Sequence, residues 1–163
     1  MAVEILDSHV YRGPNIWARV PVIVLKLDIG ELEDRPSNLI EGFTDDLIGL
    51  LPTLYDHYCS LGRPGGFIER LREGTWMGHV VEHVALELQS LAGSEGTRGL
   101  TRSTDARGVY NVIFQYQQPD LGLAAGRLAT RLVNALVYRN DAEFNYQSEL
   151  ETLIRLAERI AYG

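Results

Sequence analysis

Cysteine and lysine are almost missing from this chain of 163 residues: Cys59 is the one cysteine and Lys26 the one lysine. A single cysteine permits no internal disulfide, so a disulfide-stapled scaffold is excluded. A lone thiol also fits a reducing compartment, and a cytoplasmic setting is expected. Lys26 sits in an apolar run with no glycine shortly before it. A phosphate loop of the G-x-x-x-x-G-K-[ST] type needs its lysine just after glycines, so the chain carries none. No apolar run approaches the ~20 residues that span a bilayer. Residues 1–7 carry acid rather than Lys or Arg and do not read as a signal peptide. Positive charge is also scarce, with 15 Lys+Arg against 22 Asp+Glu and a net charge of −7. That balance argues against a general nucleic-acid binder.

What is present is an ordinary globular composition, 45% hydrophobic and 23% charged. A chain of this size buries roughly 70% of its unfolded surface, enough for one domain over 1–163. Apart from Lys26 the basic residues are all arginine, whose forked guanidinium suits carboxylates.

Strands are expected at Val3–Tyr11 and Val20–Asp28, joined by a turn at Arg12–Asn15, and at Val109–Tyr116. Phe43–Leu51 reads as a short helix with Thr44 as N-cap and Pro52 as stop. Cys59–Gly66 is dense in Gly and Pro and reads as a structured loop, and Phe67–Arg72 as a short strand or a helical turn. Thr75 is the expected cap of a helix over Trp76–Ala92, ended by Gly93. Gly30–Pro36 and Ser94–Gly108 read as loops, and Leu121–Tyr138 and Gln147–Tyr162 as long helices. The expected fold is α/β, a two-layer sandwich of a mostly antiparallel or mixed sheet with helices packed on it.

One motif carries chemistry. His79-Val-Val-Glu-His83 places two imidazoles at i and i+4, one turn apart on one helix face. This is H-x-x-E-H, the inverted zinc-peptidase motif, with Glu82 at the rim of that face. Zinc takes neutral imidazoles, keeps a position for water and lowers that water's pKa. A carboxylate beside the water but off the metal then serves as general base, the role expected of Glu82. A third protein ligand is needed. Glu87 lies roughly 12 Å along the helix from His79, too far to share a metal with it. Cys59 in its glycine-rich loop is the first candidate, His57 the second, and Glu143 or Glu149 the third. Val80, Val81, Val84, Ala85 and Leu88 give the helix an apolar anchoring face.

Several runs together resemble the N-terminal domain of cyanophycin synthetases. They are His57-Tyr-Cys-Ser60, Gly65-Gly-Phe67, Arg72-Glu-Gly-Thr75, Met77–Gln89 and Leu91-Ala-Gly93. Arg12-Gly-Pro-Asn15 with Trp17, Arg35-Pro-Ser-Asn38 and Gly108-Val-Tyr110 extend the similarity over essentially the whole chain. The loop 94–107 departs from the usual pattern, carrying Glu95-Gly-Thr-Arg98 and Thr101-Arg102.

The resemblance implies cyanophycin as partner, a poly-aspartate with arginine on each side-chain carboxyl. It implies a domain that binds this polymer and, in some members, a zinc-dependent hydrolase that cuts it internally to give primers. Cys59, His79 and His83 match the metal site of that hydrolase, and Glu82 its base. The ATP-grasp and Mur-ligase-like domains of the synthetase lie outside these residues, so no synthesis is expected of them. Arg72, Arg98 and Arg102 are the expected contacts to substrate carboxylates. A catalytically silent polymer-binding module is the alternative, and a peptidase of another substrate a third. Further expected partners are a second copy of the chain or the synthetase domains, with neither nucleic acid nor membrane among them.

Overall fold

The computed structural model describes residues 2–58, 62–139 and 143–163. Four strands form one sheet: β1 (Glu4–Tyr11), β2 (Val22–Asp28), β3 (Gly99–Ser103) and β4 (Val109–Gln115). Their order is β1-β2-β4-β3, and every neighbouring pair is antiparallel. Among the described residues, five α-helices accompany it: α1 (Phe43–Leu50), α2 (Gly66–Glu73), α3 (Met77–Leu91), α4 (Pro119–Tyr138) and α5 (Tyr146–Tyr162). The fold is therefore α/β, an antiparallel sheet with helices layered on one face.

Strand alternation decides which face is covered. Ile23, Leu25 and Leu27 of β2 and Val112 and Phe114 of β4 point to the helical side and are buried. There they meet the apolar face of α3 (Val80, Val81, Val84, Ala85, Leu88) and of α4 (Ala125, Leu128, Ala129, Leu132) in one core. Burying a side chain of this size contributes roughly 1.5–3 kcal/mol. The opposite face keeps a small apolar patch, Val22, Val24 and Ile113, covered by Trp17, Ala18 and Val20 of the β1–β2 connection. Asn15 holds that connection. Its side-chain oxygen accepts from the Trp17 and Ala18 amides, and its side-chain nitrogen donates to the Arg12 and Val20 carbonyls.

Several local expectations are corrected. Ser94–Gly108 contains β3 and is not all loop, and Phe67–Arg72 lies within α2, a full helix. α1 is entered from Gly42 at φ 75°, a left-handed geometry that suits glycine, so Thr44 lies inside the helix and does not cap it. Trp76, not Thr75, stands at the start of α3, and it makes no side-chain cap. The end of α3 is as expected. Gly93 at φ 89° lets its own amide reach Ser90 O and the Ser94 amide reach Gln89 O, a Schellman closure. α4 begins two residues before Leu121, with Pro119 in its first turn, where a missing amide costs nothing. Among the described residues, no helix is long and apolar enough to cross a membrane.

Candidate metal centre

α3 is held at both ends of its first turn. Ser37, itself buried, donates its hydroxyl to Leu71 O at 2.8 Å and accepts from the Thr75 amide at 2.9 Å. This fastens the α2–α3 junction, which explains the structural use of the Arg35-Pro-Ser-Asn38 run. At the sheet, Gly78 of α3 lies against β3 and β4. A side chain there would sit 3.2 Å from Thr101 Cγ2 and 3.4 Å from Tyr110. The helix therefore passes low over the sheet and lays its polar face on β3.

On that face His79, Glu82 and His83 bring one ligand atom each to within 4.8 Å of one another. The ring of Phe67 organises the two imidazoles. It stacks on His83 at 4.0 Å between centroids and meets His79 edge-on at 5.3 Å. His79 Nδ1 is engaged by Thr75 Oγ1 at 3.0 Å, and among the described residues Nε2 has no hydrogen-bond partner. His83 Nδ1 is engaged by His57 Nδ1 at 3.0 Å, and its Nε2 lies 3.5 Å from Glu82 Oε2. Both rings thus have one nitrogen tied behind and one available.

Burial sets the protonation of the group. His83 and Glu82 are only 4% and 5% exposed. Desolvation, with the Arg70 charge adding to it, lowers His79 to about 4. Desolvation and the neighbouring His79 and His57 hold His83 well below its ordinary value. Both imidazoles are therefore neutral, the form that ligates metal. Desolvation pushes Glu82 up to about 7, against the hydrogen bond it accepts from Thr101 Oγ1 at 2.7 Å. Gly99 leaves room for this carboxylate, since a Cβ there would stand 2.5 Å from Glu82 Oε2.

The other expected residues are distributed as follows. Cys59 lies outside the described residues. His57 backs His83 through Nδ1, and its Nε2 lies 3.2 Å from Glu87 Oε1. Glu87 in turn accepts from the Thr53 hydroxyl. Glu149 pairs with Arg131 at 2.9 Å, and Glu143 lines a groove by α1 and α4, so neither joins the cluster. Arg98 lines the cavity of about 630 Å³ that contains the histidines. Arg72 is turned to solvent and pairs with Asp45 at 3.5 Å. Arg102 lies with Leu100 on the sheet face away from α3 and is exposed.

Sequence reasoning missed Arg70, which lines the same cavity and whose Nε is buried without a hydrogen-bond partner among the described residues. It also missed the aromatic lining: Trp17, Tyr58, Trp76 and Tyr110. Two residues along a helix point to different sides, so Arg70 and Arg72 cannot share a face. Helix phase relative to the buried Phe67 and Leu71 of α2 is the signal that separates them once α2 is known to be helical.

The pattern of the cyanophycin synthase-like N-terminal domain family matches residues 23–138, which include all of His79, Glu82 and His83. This chain belongs to that family. It is 46% identical over 164 aligned residues to the cyanophycin synthetase of Synechocystis sp., covering 99% of this chain and 19% of that protein. Against the synthetase of Crocosphaera subtropica it is 50% identical, covering 83% of this chain and 16% of the relative. Against that of Trichormus variabilis it is 49% identical, covering 84% and 15%. The chain thus spans less than a fifth of the length of these relatives. Within the family framework, these runs have places: Asn15 ties the connection that brings Trp17 to one wall of the cavity, Ser37 fastens α3, and Met77–Gln89 is the helix that carries the cluster.

Proposed function

We propose that this chain is a zinc-dependent endo-hydrolase that binds cyanophycin and cuts its poly-aspartate backbone. The observation that carries the reading is the convergence of His79, Glu82 and His83 in a cavity whose lining includes four aromatic side chains and two arginines. The donor set fits zinc: two neutral imidazoles, each with one ring nitrogen free, beside a carboxylate. His79 and His83 would hold the metal, with Cys59 as third ligand on the strength of the family resemblance. Zinc, when bound, supplies Lewis acidity toward water and toward the amide carbonyl.

The chain's own residues do the rest. Glu82, poorly solvated and steadied by Thr101, accepts a proton from the attacking water and passes it to the leaving nitrogen. The amide C–N bond breaks as the new C–O bond forms, leaving a carboxylate and an amine. His57 and Glu87 back His83 and fix the direction of its ring, as outer partners of metal-bound histidines do. Arg70 and Arg98 offer guanidinium groups to the substrate's free carboxylates. The faces of Trp17, Tyr58, Trp76 and Tyr110 offer cation–π sites to its guanidinium groups. A zwitterionic polymer needs both, which is why the net charge of −7 does not select it.

Incubation with purified cyanophycin tests this. Shortening of the polymer, abolished by chelation and by Glu82→Gln, is the expected result. An unchanged polymer length with the polymer still bound would leave a binding module and remove the hydrolase.

A further inference from the structure

β3 ends the sheet, and among the described residues nothing pairs with its far side. In antiparallel pairing, alternate residues turn their main-chain groups toward the partner and away from it. Gln115 N donates to Arg98 O at 2.8 Å, and Thr104 N to Val109 O at 3.1 Å. By the register, Leu100 and Arg102 therefore also face β4, opposite Ile113 and Asn111. Gly99, Thr101 and Ser103 turn N–H and C=O to the open edge.

These same three positions lie on the α3 side of the sheet. Thr101 donates its hydroxyl to Glu82, and Glu82 fills the space over Gly99. The open edge thus runs beside the carboxylate. The cavity is continuous with it, lined by residues 97–101 in succession, by His79 on one side of the strand and by Trp17 on the other.

The sheet's two edges differ. β1 is interrupted by a register shift between Ile5 and Asp7, a device that spoils an edge for further pairing. β3 has no shift in its register, no lysine and no proline. A bare glycine and outward amides spaced by ~7 Å match every second residue of an extended polyamide.

We infer that the β3 edge takes the polymer backbone as a fifth strand, paired to Gly99, Thr101 and Ser103, with the amide to be cut held beside Glu82. The identity of the polymer rests on the function proposed above; the mode of binding is new. Main-chain pairing supplies affinity, and alternate arginine-bearing side chains fall to either side of the strand. One set meets the aromatics and Arg70 over α3, the other the Trp17 wall. An edge open along its length admits a chain at internal positions, as endo-cutting requires.

Amide hydrogen exchange on the Glu82→Gln chain, with and without saturating short cyanophycin segments, tests the inference, with binding measured separately by calorimetry. The amides of Gly99, Thr101 and Ser103 should slow by about tenfold or more, while Leu100 and Arg102, already bonded to β4, stay unchanged. Ser103→Pro removes one edge donor at a position an edge strand tolerates, and should weaken the segments several-fold with metal content unaltered. Bound segments with no slowing at the three alternate amides, or equal slowing at all five, would overturn the strand reading and leave the hydrolase standing. Failure of the segments to bind at all would overturn both.

Discussion

Two cavities of similar size mark this molecule, and they differ in how they treat charge. The groove between α1, α4 and the start of α5 holds about 740 Å³ and is lined by Asp45, Asp46, Arg139 and Glu143 among others. Three of these charges are partly exposed and paired, Arg139 with Asp46 at 3.2 Å and Asp45 with Arg72 at 3.5 Å. The cavity between α3 and β3 is smaller, about 630 Å³, yet Glu82 and His83 are almost fully buried in it, and among the described residues no Lys or Arg pairs with Glu82. Burying a carboxylate this way is costly unless something compensates it. Size would select the first cavity; the uncompensated charge selects the second. Strongly perturbed groups gathered in a cleft are a mark of function, and a bound cation is the natural compensation here.

Substitutions in and away from the α3–β3 cavity separate the two environments. Glu82→Gln should keep metal and fold but reduce polymer cutting by about 10²–10⁴-fold, read from chain length over time. Retained cutting would remove Glu82 as base. Glu87→Ala strands His57 and Thr53. It should cost about 1–3 kcal/mol in denaturant unfolding and lower zinc affinity by about 10–100-fold in a competition titration. Gly99→Ala puts a methyl group onto the Glu82 carboxylate and should slow cutting while leaving zinc content intact. Glu149→Gln probes an ordinary exposed pair with Arg131. It should change stability by no more than ~1 kcal/mol and leave both metal and activity alone. Loss of zinc in Glu149→Gln would return that glutamate to the ligand set.

The helix bearing the cluster was readable because its evidence is local: i, i+4 spacing, a valine-rich opposite face and a C-terminal glycine. The sheet's central strand was readable for the same reason, its run of β-branched residues. β3 was not, because an edge strand only partly buried shows little hydrophobic alternation, and Gly-Leu-Thr-Arg-Ser reads as a loop. Its glycine was the one hint, since a glycine in a strand marks close approach, here by Glu82. Thr75 looked like a cap because threonine before a helix usually is one. Its hydroxyl instead engages His79, a tertiary use of a residue that local propensity assigns elsewhere. Proximity in sequence named three arginines and could not tell their faces apart. Only the pleat of β3 and the turn of α2 send Arg102 and Arg72 outward while Arg70 faces in. The His57–Glu87 backing of His83 joins residues 30 positions apart and has no sequence signal at all.

The central claim is that His79 and His83 are metal ligands. Elemental analysis of the purified chain beside a His79→Ala, His83→Ala double variant tests it most directly. About one zinc per chain is expected in the first and essentially none in the second. A wild-type chain without stoichiometric metal after zinc loading, or a double variant that keeps it, would show that these histidines are not the ligands.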